Sequence, residues 1–92
     1  MIKTFACHET KSLFDGQRVL RFASFQSVAM RKLAMLNQAV RVEDLRSPPG
    51  NRLEKLTGDR AGQWSIRIND QWRVCFCFEN GSAFKVEIVD YH

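Results

Sequence analysis

The chain closes on a carboxylate, a phenol and an imidazole in succession, as Asp90, Tyr91 and His92. Such a trio can exchange protons and stack on a flat ring, and an unperturbed imidazole titrates near pH ~6.5, within reach of either end of a proton transfer. Arg67 and Arg73 lie upstream, on either side of residues 69–71. A guanidinium keeps its proton, and its planar fork bonds two phosphate oxygens at once. Together these groups could bind an anion, neutralise charge developing on it and move protons beside it.

Alternation decides where the arginines stand. Trp64, Ile66 and Ile68 alternate with Ser65, Arg67 and Asn69, and Trp72, Val74, Phe76 and Phe78 alternate with Arg73, Cys75, Cys77 and Glu79. Phe84, Val86 and Ile88 repeat the scheme against Lys85, Glu87 and Val89. A period of two predicts an antiparallel meander with one face packed and the other open, and residues 52–56 add a strand before it. Keeping Ile68 with Trp72, and Phe78 with Phe84, on the packed face predicts three-residue loops at 69–71 and 80–82. That register sets Arg67 directly across from Arg73. Like charges in a cross-strand pair repel. Either the long side chains are simply solvated or an anion lies between them, with phosphate the obvious candidate for a basic protein. A last strand that runs to the end brings Tyr91 beside Arg73.

Helices must cover the packed face. Ser24 is placed to cap a helix in which Phe25, Ala29, Leu33, Leu36 and Val40 share one side. Residues 2–6 read as a short strand, 10–14 as a brief helix, and 42–46 as a helical turn before the breaker cluster at 47–51. Trp64, Trp72, Met30 and Met35 read as packing residues. The expected fold class is α+β, with helices on one face of a mainly antiparallel twisted sheet.

Ninety-two residues leave room for one domain, 1–92. Fourteen basic residues, nine of them arginine, stand against ten acidic ones. Eleven of the cations fall between Arg18 and Arg73, while the last nineteen residues carry only Lys85 against Glu79, Glu87 and Asp90. An arginine-rich body of this kind suits nucleic acid, although a solvated basic surface has the same composition. Cys7, Cys75 and Cys77 are odd in number and too few for a secreted disulfide scaffold. With no secretory leader and no apolar run of the ~20 residues that span a bilayer, a cytoplasmic protein is expected, with no membrane partner. Cys75 and Cys77 on a strand lack the turn geometry of a zinc knuckle and read as partly buried thiols, so no metal is expected.

Four stretches carry a family resemblance: Ile2-Lys3-Thr4-Phe5, Leu13-Phe14, residues 53–76 (LEKLTGDRAGQWSIRINDQWRVCF) and the closing Val89-Asp90-Tyr91-His92. In them the sequence resembles the HigB-type toxins of bacterial type II toxin–antitoxin systems, within the RelE/ParE superfamily. The resemblance implies a β-α-α-β-β-β fold of microbial-ribonuclease type. It also implies a ribosome-dependent mRNA interferase, an endoribonuclease that cuts mRNA in the ribosomal A site without a metal or other cofactor. Its partners would be the ribosome, mRNA and a HigA-like helix-turn-helix antitoxin through which operator DNA is bound.

By position, the resemblance assigns the catalytic groups to Arg73, Asp90, Tyr91 and His92. Two positions depart from the pattern, Glu54 where relatives place a histidine and Thr57 where they place a lysine, which implies a weaker or differently specific nuclease. RNA supplies its 2′-hydroxyl as nucleophile, so the enzyme needs a base, an acid and a cation for the phosphorane. Arg73 suits the cation and Asp90 or His92 the proton transfers, with His92 favoured by its titration range. Tyr91 would stack on a base or orient the phosphate. Glu54 could replace the missing base or merely pair with Arg52 or Lys55. Arg52, Lys55, Arg60 and Arg67 would grip phosphates, adding affinity that falls with salt. A ParE-like gyrase inhibitor and a non-catalytic nucleic-acid-binding module remain as alternatives.

Overall fold

The computed structural model describes residues 1–91, and its period-two segments form a sheet. β1 (Glu54–Lys55), β2 (Trp64–Arg67), β3 (Trp72–Glu79) and β4 (Ser82–Asp90) lie in that order, each antiparallel to the next. The helices α1 (His8–Phe14) and α2 (Gln26–Gln38) cover one face, making the fold α+β as expected. Ile66, Val74, Phe76 and Ile88 from the sheet meet Leu13, Phe22, Leu33 and Leu36 from the helical layer, all buried. Burying each such side chain contributes about 1.5–3 kcal/mol. Trp72 packs at the margin of this core, with ring centres 5.0 Å from Phe25 and 5.8 Å from Phe22.

The inward face of α2 carries Ala29, Leu33 and Leu36, as its periodicity predicts. Its ends differ from expectation. Ser24 lies inside a 3-10 segment, Leu20–Phe25, so α2 starts at Gln26 with Phe25 as N-cap and without a side-chain cap. Val40 is 70% exposed, because the helix stops at Gln38 and the extended backbone at Ala39 turns that alanine inward instead.

Residues 2–6 do not join the sheet as a full strand. They run parallel to β4 through two isolated bridges, Ile2 to Ala83 and Phe5 to Val86. The strand expected over 52–56 is cut to Glu54–Lys55, paired with Ser65 and Trp64.

Of the two predicted loops, 69–71 is realised and sets Arg67 opposite Arg73. The other is not. Glu79 pairs with Ser82 across a two-residue Asn80–Gly81 turn, both residues left-handed (φ 52 and 79), which suits the twist of a tight hairpin. A bulge at Lys85 (φ 54) then restores the parity, leaving Ala83 across from Phe78 and Phe84 across from Cys77. Phe84 therefore leaves the core face, and Val86 and Ile88 regain it.

The second sheet face is also less open than alternation suggests. Segment 56–63 makes an excursion closed by the Leu56 N–H donating to the Gln63 carbonyl at 2.8 Å. Arg60, carried on it, reaches Glu87, the register partner of Cys75, at 3.3 Å. Ser65 and Cys75 are fully buried and Arg73 is 9% exposed.

Candidate active site

Arg73 sits on β3 between Arg67 of β2 and Val89 of β4. Its Nε donates to the Ser65 hydroxyl at 2.8 Å, and its Nη2 donates to the Arg52 carbonyl at 2.6 Å. The Glu54 carboxylate lies 3.6 Å from the same Nη2. Arg52 presents that carbonyl from a left-handed conformation (φ 47) at the end of the Pro49–Asn51 turn, a strained state that persists only where its surroundings hold it. The Tyr91 ring centre stands 5.8 Å from the Arg73 guanidinium carbon, a cation–π arrangement. The tail is pinned by the Tyr91 N–H, which donates to the Gln71 carbonyl at 2.6 Å.

These groups open onto a cavity of about 340 Å³ lined by Arg52, Glu54, Arg67, Asn69, Asp70, Arg73 and Tyr91. Both facing arginines have carboxylate company. Arg67 pairs with the fully exposed Asp70, and Arg73 with Glu54. These carboxylates offset the repulsion expected from the register of the two arginines. Among the described residues, the Nη1 of Arg73 and the guanidinium of Arg52 have no hydrogen-bond or ion-pair partner.

Five residues singled out from the sequence meet in this cavity: Arg52, Glu54, Arg67, Arg73 and Tyr91. The others lie elsewhere. Lys55 follows Trp64 onto the helix side of the sheet, its ammonium 5.8 Å from the indole centre. Arg60 is engaged by Glu87 and by the Gln63 amide oxygen at 3.2 Å. Asp90 pairs in register with Trp72, one residue off the row that carries Arg73, and accepts from the Gln71 amide at 3.0 Å. It lines an adjoining hollow with Arg60, Val89 and Tyr91. His92 lies outside the described residues.

Three residues of the site were not singled out. Ser65, which anchors Arg73, shares its face by simple parity and was findable. Asn69 builds the β2–β3 turn by accepting the Gln71 and Trp72 N–H groups at 2.8 and 2.9 Å. Its side chain in a three-residue loop was a legible turn signal. Asp70 is only three residues from Arg67, but it is the conformation of the 69–71 loop that turns its carboxylate onto that arginine. Burial pushes the Cys75 thiol up, the nearby Arg60 charge pulls it down, and Glu87 adds to the rise while Arg73 opposes it. The net rise keeps it a protonated packing group.

Comparison of the fold reaches a known architecture. The toxin–antitoxin complex YoeB–YefM from Staphylococcus aureus includes a chain that superposes with a TM-score of 0.58, covering all of this chain and 98% of that one at 14% identity, a likeness of fold. The sequence then specifies the family. The family model described as RelE-like toxin of type II toxin-antitoxin system HigB matches residues 5–92, and the chain belongs to that family. Toxin HigB-1 of Vibrio cholerae is 44% identical over 69 residues, 75% of this chain and 73% of that protein. Endoribonuclease HigB of Proteus vulgaris is 31% identical over the full length of both chains.

Proposed function

We propose that this protein is the endoribonuclease toxin of a type II toxin–antitoxin system, one domain over residues 1–92, and that it cleaves mRNA in the ribosomal A site. The observation that carries this reading is the arginine cavity: Arg73 lines it with two of its nitrogens held, and its Nη1 has no hydrogen-bond partner among the described residues. Family membership and a relative named as an endoribonuclease support the same reaction.

The reaction follows from the chemistry of RNA. The 2′-hydroxyl attacks the adjacent phosphorus, its proton passes to a base, and a proton is returned to the departing 5′-oxygen. Arg73 neutralises the charge that gathers on the phosphorane oxygens, the moment at which a preorganised cation counts most. Glu54 is the carboxylate that shares the cavity with Arg73, and it takes the base role that relatives give to histidine. The leaving-group proton comes from the tail, from His92 in preference to Asp90. Tyr91 stacks on the neighbouring base. Arg52 and Arg67 hold the flanking phosphates, and Lys55 and Arg60 add electrostatic attraction from outside the cavity. No cofactor enters, since RNA brings its own nucleophile.

The protein acts in the cytoplasm, on translating ribosomes, and is neutralised by a HigA-like antitoxin that carries operator DNA binding for the pair. No helix among the described residues is long and apolar enough to cross a membrane. Brief expression followed by transcriptome-wide mapping of new mRNA 5′ ends tests the proposal. In-frame cuts at translated codons, absent with Arg73→Ala, are expected. DNA damage without cuts would instead indicate gyrase inhibition, and neither outcome would leave a simple binder.

A further inference from the structure

Behind the cavity, a lysine on α2 is buried to 8% exposure. Lys32 donates from Nζ to the Asn51 side-chain oxygen at 2.5 Å. A buried ammonium is tolerated only when it is hydrogen-bonded. Burial first, then the Arg31 and Arg67 charges, pushes the Lys32 pKa down. Asn51 is fully buried and fully used: its amide nitrogen donates to the Leu45 carbonyl at 3.2 Å and the Ser47 carbonyl at 3.4 Å. With its oxygen against an ammonium and its nitrogen against two carbonyls, the amide has one workable orientation.

The backbone of the same turn is tied as tightly. The Asn51 N–H donates to the Pro48 carbonyl at 2.9 Å, and the Arg52 N–H to the Pro49 carbonyl at 3.1 Å. Arg52, the next residue, holds the left-handed conformation that points its carbonyl at Arg73. The Arg52 side chain makes no hydrogen bond, ion pair or ring contact among the described residues that would enforce that conformation. The hydrogen bonds on the turn run instead through Asn51 and, by way of Lys32, to α2.

We propose that Lys32 and Asn51 are positioning residues for Arg73: their buried hydrogen bond locks the 49–52 turn so that the Arg52 carbonyl holds one nitrogen of the guanidinium. Without that lock the turn relaxes, the carbonyl withdraws and Nη2 swings toward Glu54, while the Ser65 contact at Nε survives. The structural claim stands on the contacts alone; its catalytic consequence rests on the function proposed above.

Arginine side-chain ¹⁵N NMR of the free protein separates the two, using Asn51→Ala and Lys32→Met, with cleavage of ribosome-bound mRNA measured in parallel. The expected result is a preserved Arg73 Nε–H signal with faster Nη rotation, and a kcat lowered by about 10- to 100-fold at unchanged KM, the range typical of a displaced catalytic group. If Asn51→Ala does not fold, Lys32→Met, which keeps the amide contacts to Leu45 and Ser47, carries the test. Unchanged Arg73 Nη signals in a folded variant would overturn the proposal even if melting temperature fell. Altered Nη signals with undiminished cleavage would uphold the positioning and overturn the role given to Arg73 in the reaction.

Discussion

Arg73 does two things that pull against each other. It fills the second face of the sheet, with Nε on Ser65 and Nη2 on the Arg52 carbonyl, and it lines the cavity. A buried cation held this way loses little freedom when a phosphate arrives, which is how preorganised charge stabilises a transition state. It also means that its removal is felt by the fold. Arg73→Ala strands the Ser65 hydroxyl and the Arg52 carbonyl, and should lower stability by about 1–3 kcal/mol in a urea melt while the protein still folds. Asp70 is the opposite case, an exposed carboxylate occupying Arg67 where a phosphate would bind. Asp70→Asn frees Arg67 for RNA and should lower KM for ribosome-bound mRNA without moving the melting temperature; an unchanged KM would remove Arg67 from the phosphate-gripping set.

At the scale of elements, the site depends on turns more than on strands. The 69–71 loop was legible because residue parity and the turn chemistry of Asn69 agree. The Asn80–Gly81 turn was not, because a bulge at Lys85 compensates for the missing loop residue, and a bulge leaves no mark on alternation beyond a skipped step. Val40 was misread because helical periodicity continues past the point where the backbone does. Arg67 and Arg73 were placed correctly and Glu54 was named as a candidate base, yet its ion pair was expected with Arg52 or Lys55 instead of Arg73, because the approach is set by β1 pairing.

The turn Val42–Arg46 offers an element-scale test. Asp44 accepts the N–H groups of Arg41 and Val40 at 3.1 and 3.0 Å, and these bonds, the Arg41 one foremost, hold its carboxyl below the ordinary 3.8. The folded state therefore binds this proton less readily than the unfolded chain. Its contribution is complete above 3.8 and is lost as pH falls through the lower folded value. Asp44→Asn should flatten the acid side of the melting curve against pH, and an identical acid slope would refute the capping role.

For the whole molecule, the two layers divide the labour. The helical layer and the core face of the sheet supply the burial, while the other face gathers arginines and carboxylates around the cavity proposed to take an RNA phosphate. Overall basic charge was readable from composition; its division into a cavity set, an Arg60–Glu87 pair and a Lys55–Trp64 stack was not, because the β1–β2 pairing and the course of segment 56–63 decide those partners. The most direct test of the central claim is single-turnover cleavage of mRNA on programmed ribosomes by wild-type protein and by folded Arg73→Ala. A loss of about 10²- to 10³-fold in the cleavage rate is predicted, the range seen when one transition-state charge stabiliser is removed. Equal rates for the two proteins would contradict the account.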